Sequence, residues 1–393
     1  MIEWTEFKIS DIGTVVGGAT PSTKNKKNYE NGDIPWITPK DLSTFHGRYI
    51  RGGERNITKE GFDSCSTKLL PKNTVLFSSR APIGYVAIAA NEMCTNQGFK
   101  SVIPNKNIDS LFLYYLLKFN KDKIEGMGSG TTFKEISGNA MKNIKVCVPL
   151  DIKEQKKIAE ILGNIDDKIE KNREINNNLE QQAQAVYYKM FSKVNTVPVE
   201  LSSIIDVRDG THDSPKAQAT GYYLITSKHL LPFGVDKASA NHISKADFDK
   251  INERSLVETQ DILMSMIGTI GLISYIPYET IDFAIKNVAL FKTSHTPELA
   301  YYFLCYLKSE KTLQHIGKCL AGSTQKYISL GELRKMPIYS PTTNEIREFN
   351  CLVKPMFEKI VSRTYENALL TEMRDSLLPK LMSGELDVSD IDL

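Results

Sequence analysis

Lys153–Gln182 reads KEQKKIAEILGNIDDKIEKNREINNNLEQQ, and the spacing of its apolar residues organises the rest of the chain. Seam positions step by four and three: Ile158, Leu162, Ile165, Ile169, then Asn172 and Asn176, then Leu179, Ala183, Val186 and Met190. A 3.5-residue period held this long is the mark of a coiled coil. Just before it, Asp151 with Glu154 three residues on gives a helix-start signal after Pro149. The whole pattern then returns. After Pro341, Thr342 with Glu345 gives the same start, and Phe349, Val353, Met356, Ile360, Arg363, Asn367, Leu370, Arg374, Leu377 and Leu381 keep the same register. At 1.5 Å per residue each helix is expected to run about 50 Å. Gly163 and Pro355 are expected to mark a late start or a kink in the first turns.

In both helices polar residues sit mid-seam, Asn172 and Asn176 in one, Arg363 and Asn367 in the other. Two readings stay open. These positions reach solvent where the helices splay, or they act as a register device that penalises slipped pairings. In an antiparallel pair the two polar layers would meet.

The helices are not the only repeat. Ile9–Ile12 (ISDI) is matched by Leu201–Ile204 (LSSI), and IPWITPKDL (34–42) by YYLITSKHL (222–230). Val75–Ser78 with Ile83-Gly84 is answered by Ile262–Ser265 with Ile270-Gly271, and Tyr115–Lys118 by Cys305–Lys308. Gly130-Thr131-Thr132 with Ile136-Ser137 meets Gly322-Ser323-Thr324 with Ile328-Ser329. Matches in one order at a nearly constant offset indicate a duplicated domain, with a period far too long for a solenoid.

The expected architecture is α+β: two similar globular units, 1–150 and 196–342, each followed by a long helix, 151–195 and 343–382, with a tail at 383–393. The helices would pair as an antiparallel coiled coil and relate the units by a pseudo-two-fold axis. In the first unit, β-rich runs at Gly13–Gly17, Ile34–Thr38, Thr74–Ser78, Gly84–Ala89 and Phe99–Ile103 precede an amphipathic helix at Leu111–Asn120.

The 393 residues carry 49 basic and 47 acidic side chains, so the net charge of +2 hides an asymmetry. Residues 1–150 have 20 basic and 14 acidic groups, a surplus of six positive charges, while 343–393 have 6 and 10, a surplus of four negative ones. The acidic tail (Asp387, Asp390, Asp392) is expected to face a protein, not a phosphate. The longest apolar stretches, Leu111–Leu117 and Tyr301–Leu307, are too short to cross a bilayer, and no signal peptide is indicated. Six scattered cysteines without a C-x-x-C pair suit a reducing cytoplasm.

No catalytic chemistry is expected. There is no G-x-x-x-x-G-K-[ST] loop, no Asn/Asp-Pro-Pro-aromatic run of the amino-methyltransferase kind and no nucleophile elbow. The glycines of Gly126–Gly130 follow a helix and read as a flexible turn. The six histidines are not read at metal-ligand spacing, so neither a metal nor a cofactor is expected. What does stand out is basic and amide chemistry in loops. Thr20–Lys27 reads TPSTKNKK, with Lys24, Lys26 and Lys27. Lys40, Arg48, Arg51 and Arg55 follow Trp36, Arg80 lies in SSRAPIG, and Asn96, Gln97 and Lys100 in TNQGFK. Lysines attract phosphates whatever the sequence, whereas Arg, Asn and Gln can bond base edges in pairs. Lys216, Thr226, Lys228, His229, Lys286, Asn287, Gln325 and Lys326 hold comparable places in the second unit.

TPSTKNKKNYENGDIPWITPKDL, LPKNTVLFSSRAPIGYVAIA, TNQGFK, the capped helix quoted first and the closing LLPKLMSGELDV together resemble the specificity subunit of type I restriction–modification systems. The resemblance spans essentially the whole chain. It is weaker in the second unit, where Leu224 replaces Trp36 and SMIGTIG replaces SSRAPIG. It implies two target recognition domains, each docking on one half of a split double-stranded DNA site, with the helices as a spacer. It also implies two methyltransferase (modification) subunits holding S-adenosylmethionine and a translocating restriction subunit as partners, and no bond-making chemistry in this chain. DNA-contact roles would fall on Lys24, Lys26, Lys27, Thr38, Lys40, Arg80 and Gln97, and by the internal repeat on Lys216, Thr226, Lys228 and Lys286. The rival reading is a non-catalytic coiled-coil adaptor that binds other proteins without reading DNA.

Overall fold

The β-rich runs of the first half assemble as an antiparallel sheet in the order Gly13–Gly17, Lys100–Pro104, Val75–Ser79, Ile83–Ala89, with Tyr49–Ile50 added in parallel at the last edge. A smaller sheet places Ile34–Ile37 between antiparallel Arg55–Ile57 and parallel Cys94–Thr95. The computed structural model describes residues 3–129, 134–191, 197–322 and 326–388. The motif residues Gly130–Thr132, Ser323 and Thr324, together with Gln325, Asp390 and Asp392, lie outside the described residues. The chain forms two compact units, Met1–Lys171 with Asn367–Leu393 and Asn172–Glu366.

In the first unit the helix Ser110–Phe119 starts where the Asp109 carboxylate accepts hydrogen bonds from the Leu111 and Phe112 amides, both at 2.9 Å. It buries Phe112, Leu113, Tyr115 and Leu116 against Phe77 and Val102 of the sheet. Ile158 and Leu162 of the first long helix, Ile152–Phe191, join this core, as do Leu381 and Met382 of the second, Thr343–Met382. Within this unit Asn367 Nδ2 donates to the Ile169 carbonyl at 3.5 Å, and Arg374 pairs with Asp166 at 2.8 Å. Numbers rise along one helix as they fall along the other, so the two run antiparallel.

The second unit repeats the plan. Its larger sheet runs Val207–Asp209, Val288–Phe291, Ile262–Ser265, Ile273–Tyr275, and its smaller one Asn241–Ile243, Tyr222–Ile225, Phe283–Ile285. The smaller sheet again joins one antiparallel and one parallel neighbour to the central strand. The helix halves are antiparallel here too: Asn172 Nδ2 donates to Glu366 at 2.8 Å and Asn176 Nδ2 to the Ile360 carbonyl at 3.4 Å. Asn172 is buried, and in each unit the mid-helix polar groups bond across the seam. These asparagines therefore bond within the seam instead of opening it to solvent. Tyr187 and Phe191 pack on Phe349 and Tyr302, with ring centroids 5.0–6.4 Å apart.

Each long helix is 40 residues, about 60 Å at 1.5 Å per residue, and so longer than expected. Neither Gly163 nor Pro355 interrupts its helix. Gly163 has another role: a Cβ there would lie 3.2 Å from both the Arg48 guanidinium and Leu111, so its absence lets them approach. Among the described residues no helix is long and apolar enough to cross a membrane.

Candidate nucleic-acid interface

The loop between the strands Gly13–Gly17 and Ile34–Ile37 carries Lys24, Lys26 and Lys27, all exposed. It is held from beneath. Buried Asn28 donates to the Ser22 carbonyl at 2.9 Å, the Tyr29 hydroxyl to the Pro21 carbonyl at 2.6 Å, and the buried Trp36 indole to the Ala19 carbonyl at 3.0 Å. The Thr58 hydroxyl donates to the Lys27 carbonyl at 2.7 Å. A cavity of about 450 Å³ beside the loop is lined by Lys26, Tyr29, Arg55 and Asn56. The result is three ammonium groups on a fixed platform, as phosphate contact requires.

Thr38 serves the fold directly. Its amide and hydroxyl both donate to Asp41, at 2.7 and 2.6 Å, and cap the turn that carries Lys40. Lys40 itself is exposed and paired with Glu54 at 2.7 Å. In the second unit Thr226 holds the matching place, and its amide donates to His229 Nδ1 at 3.0 Å. That ring replaces the carboxylate of Asp41, and burial pushes the His229 pKa below its ordinary value, which keeps the accepting nitrogen unprotonated. Lys228, on this turn, is exposed.

Arg80 lies 3.5 Å from Glu135, which Lys100 also approaches at 3.5 Å. These three charges form one cluster at the tip of the hairpin Val75–Ala89. The matching bridge in the second unit joins Ile267 to Tyr327, so the cluster has no charged counterpart there. Gln97 is exposed and accepts a hydrogen bond from the Thr20 hydroxyl. Lys216 is exposed, and the half-buried Lys286 donates to Ser214.

Arg48 corrects the reading of the loop cations. It is 4% exposed and pairs with Asp167 and Glu170 of the first long helix, so it fastens that helix to its own unit. His315 and Cys319 stand one helical turn apart with Nε2 and Sγ at 3.5 Å, a spacing passed over in the sequence. Among the described residues no three His, Cys, Asp or Glu side chains converge on a metal-sized site. Sequence reasoning also missed His212, which lies 2.7 Å from Asn287 and 3.1 Å from Asp209, with Arg254 2.5 Å from the same carboxylate. A cavity of about 480 Å³ opens beside them, lined by His212, Ser214, Lys250 and Arg254. The repeat offset, applied to Thr20 and Gln97, would have located His212 and Asn287.

Comparison with known proteins agrees with this duplicated architecture. The family described as "Type I restriction modification DNA specificity domain" matches residues 1–181 and again 194–349. The type I restriction enzyme MjaIX specificity subunit of Methanocaldococcus jannaschii is 34% identical over 99% of this chain and 95% of its own length. The EcoR124I/EcoR124II specificity subunit of Escherichia coli is 33% identical over 42% of this chain and 41% of its own. The crystal structure of a type I restriction–modification S subunit from M. genitalium shares the fold, with a TM-score of 0.55 at 18% identity over 97% of this chain and 96% of that one. Two copies of one α+β unit, each with its half of a long antiparallel helix pair, therefore belong to the type I restriction–modification DNA specificity subunit family.

Proposed function

We infer that this chain is the DNA sequence-specificity subunit of a type I restriction–modification complex, reads a two-part site in double-stranded DNA and contributes no bond-making chemistry. The observation that carries this reading is the duplication itself. Two units share one backbone plan yet present different loop chemistry, as two readers of two different half-sites would. Lys24, Lys26, Lys27 and Lys40 in the first unit, and Lys216, Lys228 and Lys286 in the second, supply phosphate contact. Gln97 and Arg80 face bases. Thr38 and Thr226 set the turns on which Lys40 and Lys228 stand.

The remaining surface suits protein partners. Leu352 in the second unit and Leu369 and Met373 in the first are exposed apolar residues of the second long helix, 49–67% accessible. We assign these faces to methyltransferase subunits, one for each unit and two in all, with restriction subunits completing the enzyme. Six free thiols fit a cytoplasmic setting.

The test is selection from a pool of random duplexes by the full chain assembled with its methyltransferase subunit, followed by sequencing of the bound fraction. A motif of two specified blocks around an unread gap is expected. No enrichment would overturn the specificity reading and favour the adaptor instead. In the same assay Lys40→Ala and Arg80→Ala should weaken DNA binding and leave subunit assembly intact.

A further inference from the structure

The two units share two backbone hydrogen bonds around one crossing of loop and strand. The Asn96 amide donates to the Ile37 carbonyl at 2.9 Å, and the Lys286 amide to the Ile225 carbonyl at 2.8 Å. The Ala19 amide donates to the Thr95 carbonyl at 3.1 Å, and the Thr211 amide to the Ile285 carbonyl at 3.0 Å. Just before these amides stand Gly18 and Gly210, where a Cβ would collide with those same two carbonyl oxygens. Only glycine lets the loop lie this close to the strand end.

One residue beyond the crossing on each segment, a pair of side chains meets. In the first unit Thr20 donates to the Gln97 amide oxygen. In the second, His212 Nδ1 lies 2.7 Å from the Asn287 amide oxygen. The place is the same and the chemistry is not. The second pair is also buttressed, because His212 Nε2 lies 3.1 Å from Asp209, whose other oxygen takes Arg254. Gly17, at the position matching Asp209, offers no such support.

One matched position in each hairpin, a serine that serves the fold, has the same bonds in both units. Buried Ser78 donates to the Pro82 carbonyl and accepts from the Tyr85 amide, both at 2.8 Å. Buried Ser265 does the same with the Thr269 carbonyl and the Leu272 amide, at 2.5 and 2.8 Å. The structural serine is unchanged between the units, whereas the pair at the crossing varies, with Gln97 and His212 exposed and Thr20 and Asn287 half-buried. The His212 side chain is 63% accessible and Gln97 is exposed. In the first pair the Thr20 hydroxyl fixes the Gln97 amide oxygen and so orients its NH₂ donor, and in the second the His212 ring lies against the oxygen end of the Asn287 amide. Such an oriented amide can bond a base edge in two places.

We propose that Thr20–Gln97 and His212–Asn287 are the specificity-determining pairs of the two units, each reading a base in its own half-site through the amide of Gln97 or Asn287. The proposal rests on the specificity reading above and names where that reading is done.

The test uses the full chain assembled with methyltransferase subunits, selected against random duplexes and sequenced. Gln97→Ala should relax preference at one base position of one half-site by about tenfold to a hundredfold and leave the other half-site unchanged. Thr20→Val, which keeps the shape and removes the hydroxyl, should relax the same position. Asn287 has φ +54°, a conformation strained for alanine, so Asn287→Asp is the matching variant, and it should affect only the other half-site. An unchanged motif overturns the proposal, whether affinity stays constant or falls equally on every sequence. So does a change in both half-sites from one variant. If the unaltered protein enriches no two-part motif, it is the specificity reading that fails.

Discussion

The Arg374 guanidinium lies 2.8 Å from the Asp166 carboxylate, joining the two long helices inside the first unit. Asp166 is 5% exposed and also accepts a hydrogen bond from the Tyr115 hydroxyl at 2.6 Å. Burial, with the Asp166 charge beside it, raises the Tyr115 pKa, so the phenol stays a donor. Arg374 therefore answers a buried charge, and Arg374→Met would leave that charge with one neutral partner. Removing one side of such a pair costs roughly 3 kcal/mol. Asp166→Asn should cost less, because Arg374 keeps Asp375 at 2.7 Å. Urea unfolding of the three proteins checks the order.

The lysine platform makes a different kind of prediction. Asn28, Tyr29 and Trp36 hold the loop, so replacing Lys24, Lys26 and Lys27 together by alanine should leave the melting temperature unchanged. The salt dependence of DNA binding should become shallower, by about 0.9 in log–log slope for each lysine that meets a phosphate. The selected motif should not change. A shift in the motif would move these lysines from phosphates to bases.

His229 makes the second unit sensitive to acid. Its folded pKa lies below the ordinary 6.5, chiefly through burial and then through the nearby Lys228 charge, and its Nδ1 accepts from the Thr226 amide. At pH above 6.5 the ring is neutral in folded and unfolded chains alike, and the cap contributes fully. As pH falls below that value the unfolded chain takes up the proton first, and stability is lost. His229→Asn keeps an acceptor without titrating, so it should flatten unfolding midpoints between pH 7 and pH 5 relative to the unaltered protein. Equal slopes would show that the proton goes elsewhere.

Periodicity exposed the helices because a buried seam constrains every third or fourth residue, and the repeat exposed the duplication because both copies pack alike. The strands Gly13–Gly17 and Ile34–Ile37 were legible for the same reason. Single charges were not. Arg48 and Lys40 look equivalent in a linear reading, yet one is buried against the first long helix and the other is exposed beside Glu54. Lys292, 1% exposed between Glu258 and Asp261, gave no warning of burial at all. Burial of a cation depends on a carboxylate brought in by another element, and no local pattern records it. Thr38 was legible as a polar loop residue, but its bond to Asp41 makes it a cap.

Each long helix has one half in each unit, so its length is shared by both. Inserting seven residues, one full heptad, into both helices near Asn172 and Glu366 keeps every apolar seam position in phase. It adds about 10 Å of helix, or roughly three base pairs at ~3.4 Å each. The loops that carry Gln97 and Asn287 are untouched. Selection should therefore return the same two half-sites with a gap wider by about three base pairs. Inserting four residues instead breaks the heptad phase where the two halves of each helix join, and should lower the unfolding midpoint. If the heptad insertion altered the half-site sequences while leaving the gap fixed, the helices would not be the spacer, and the gap would have to be set by the globular units.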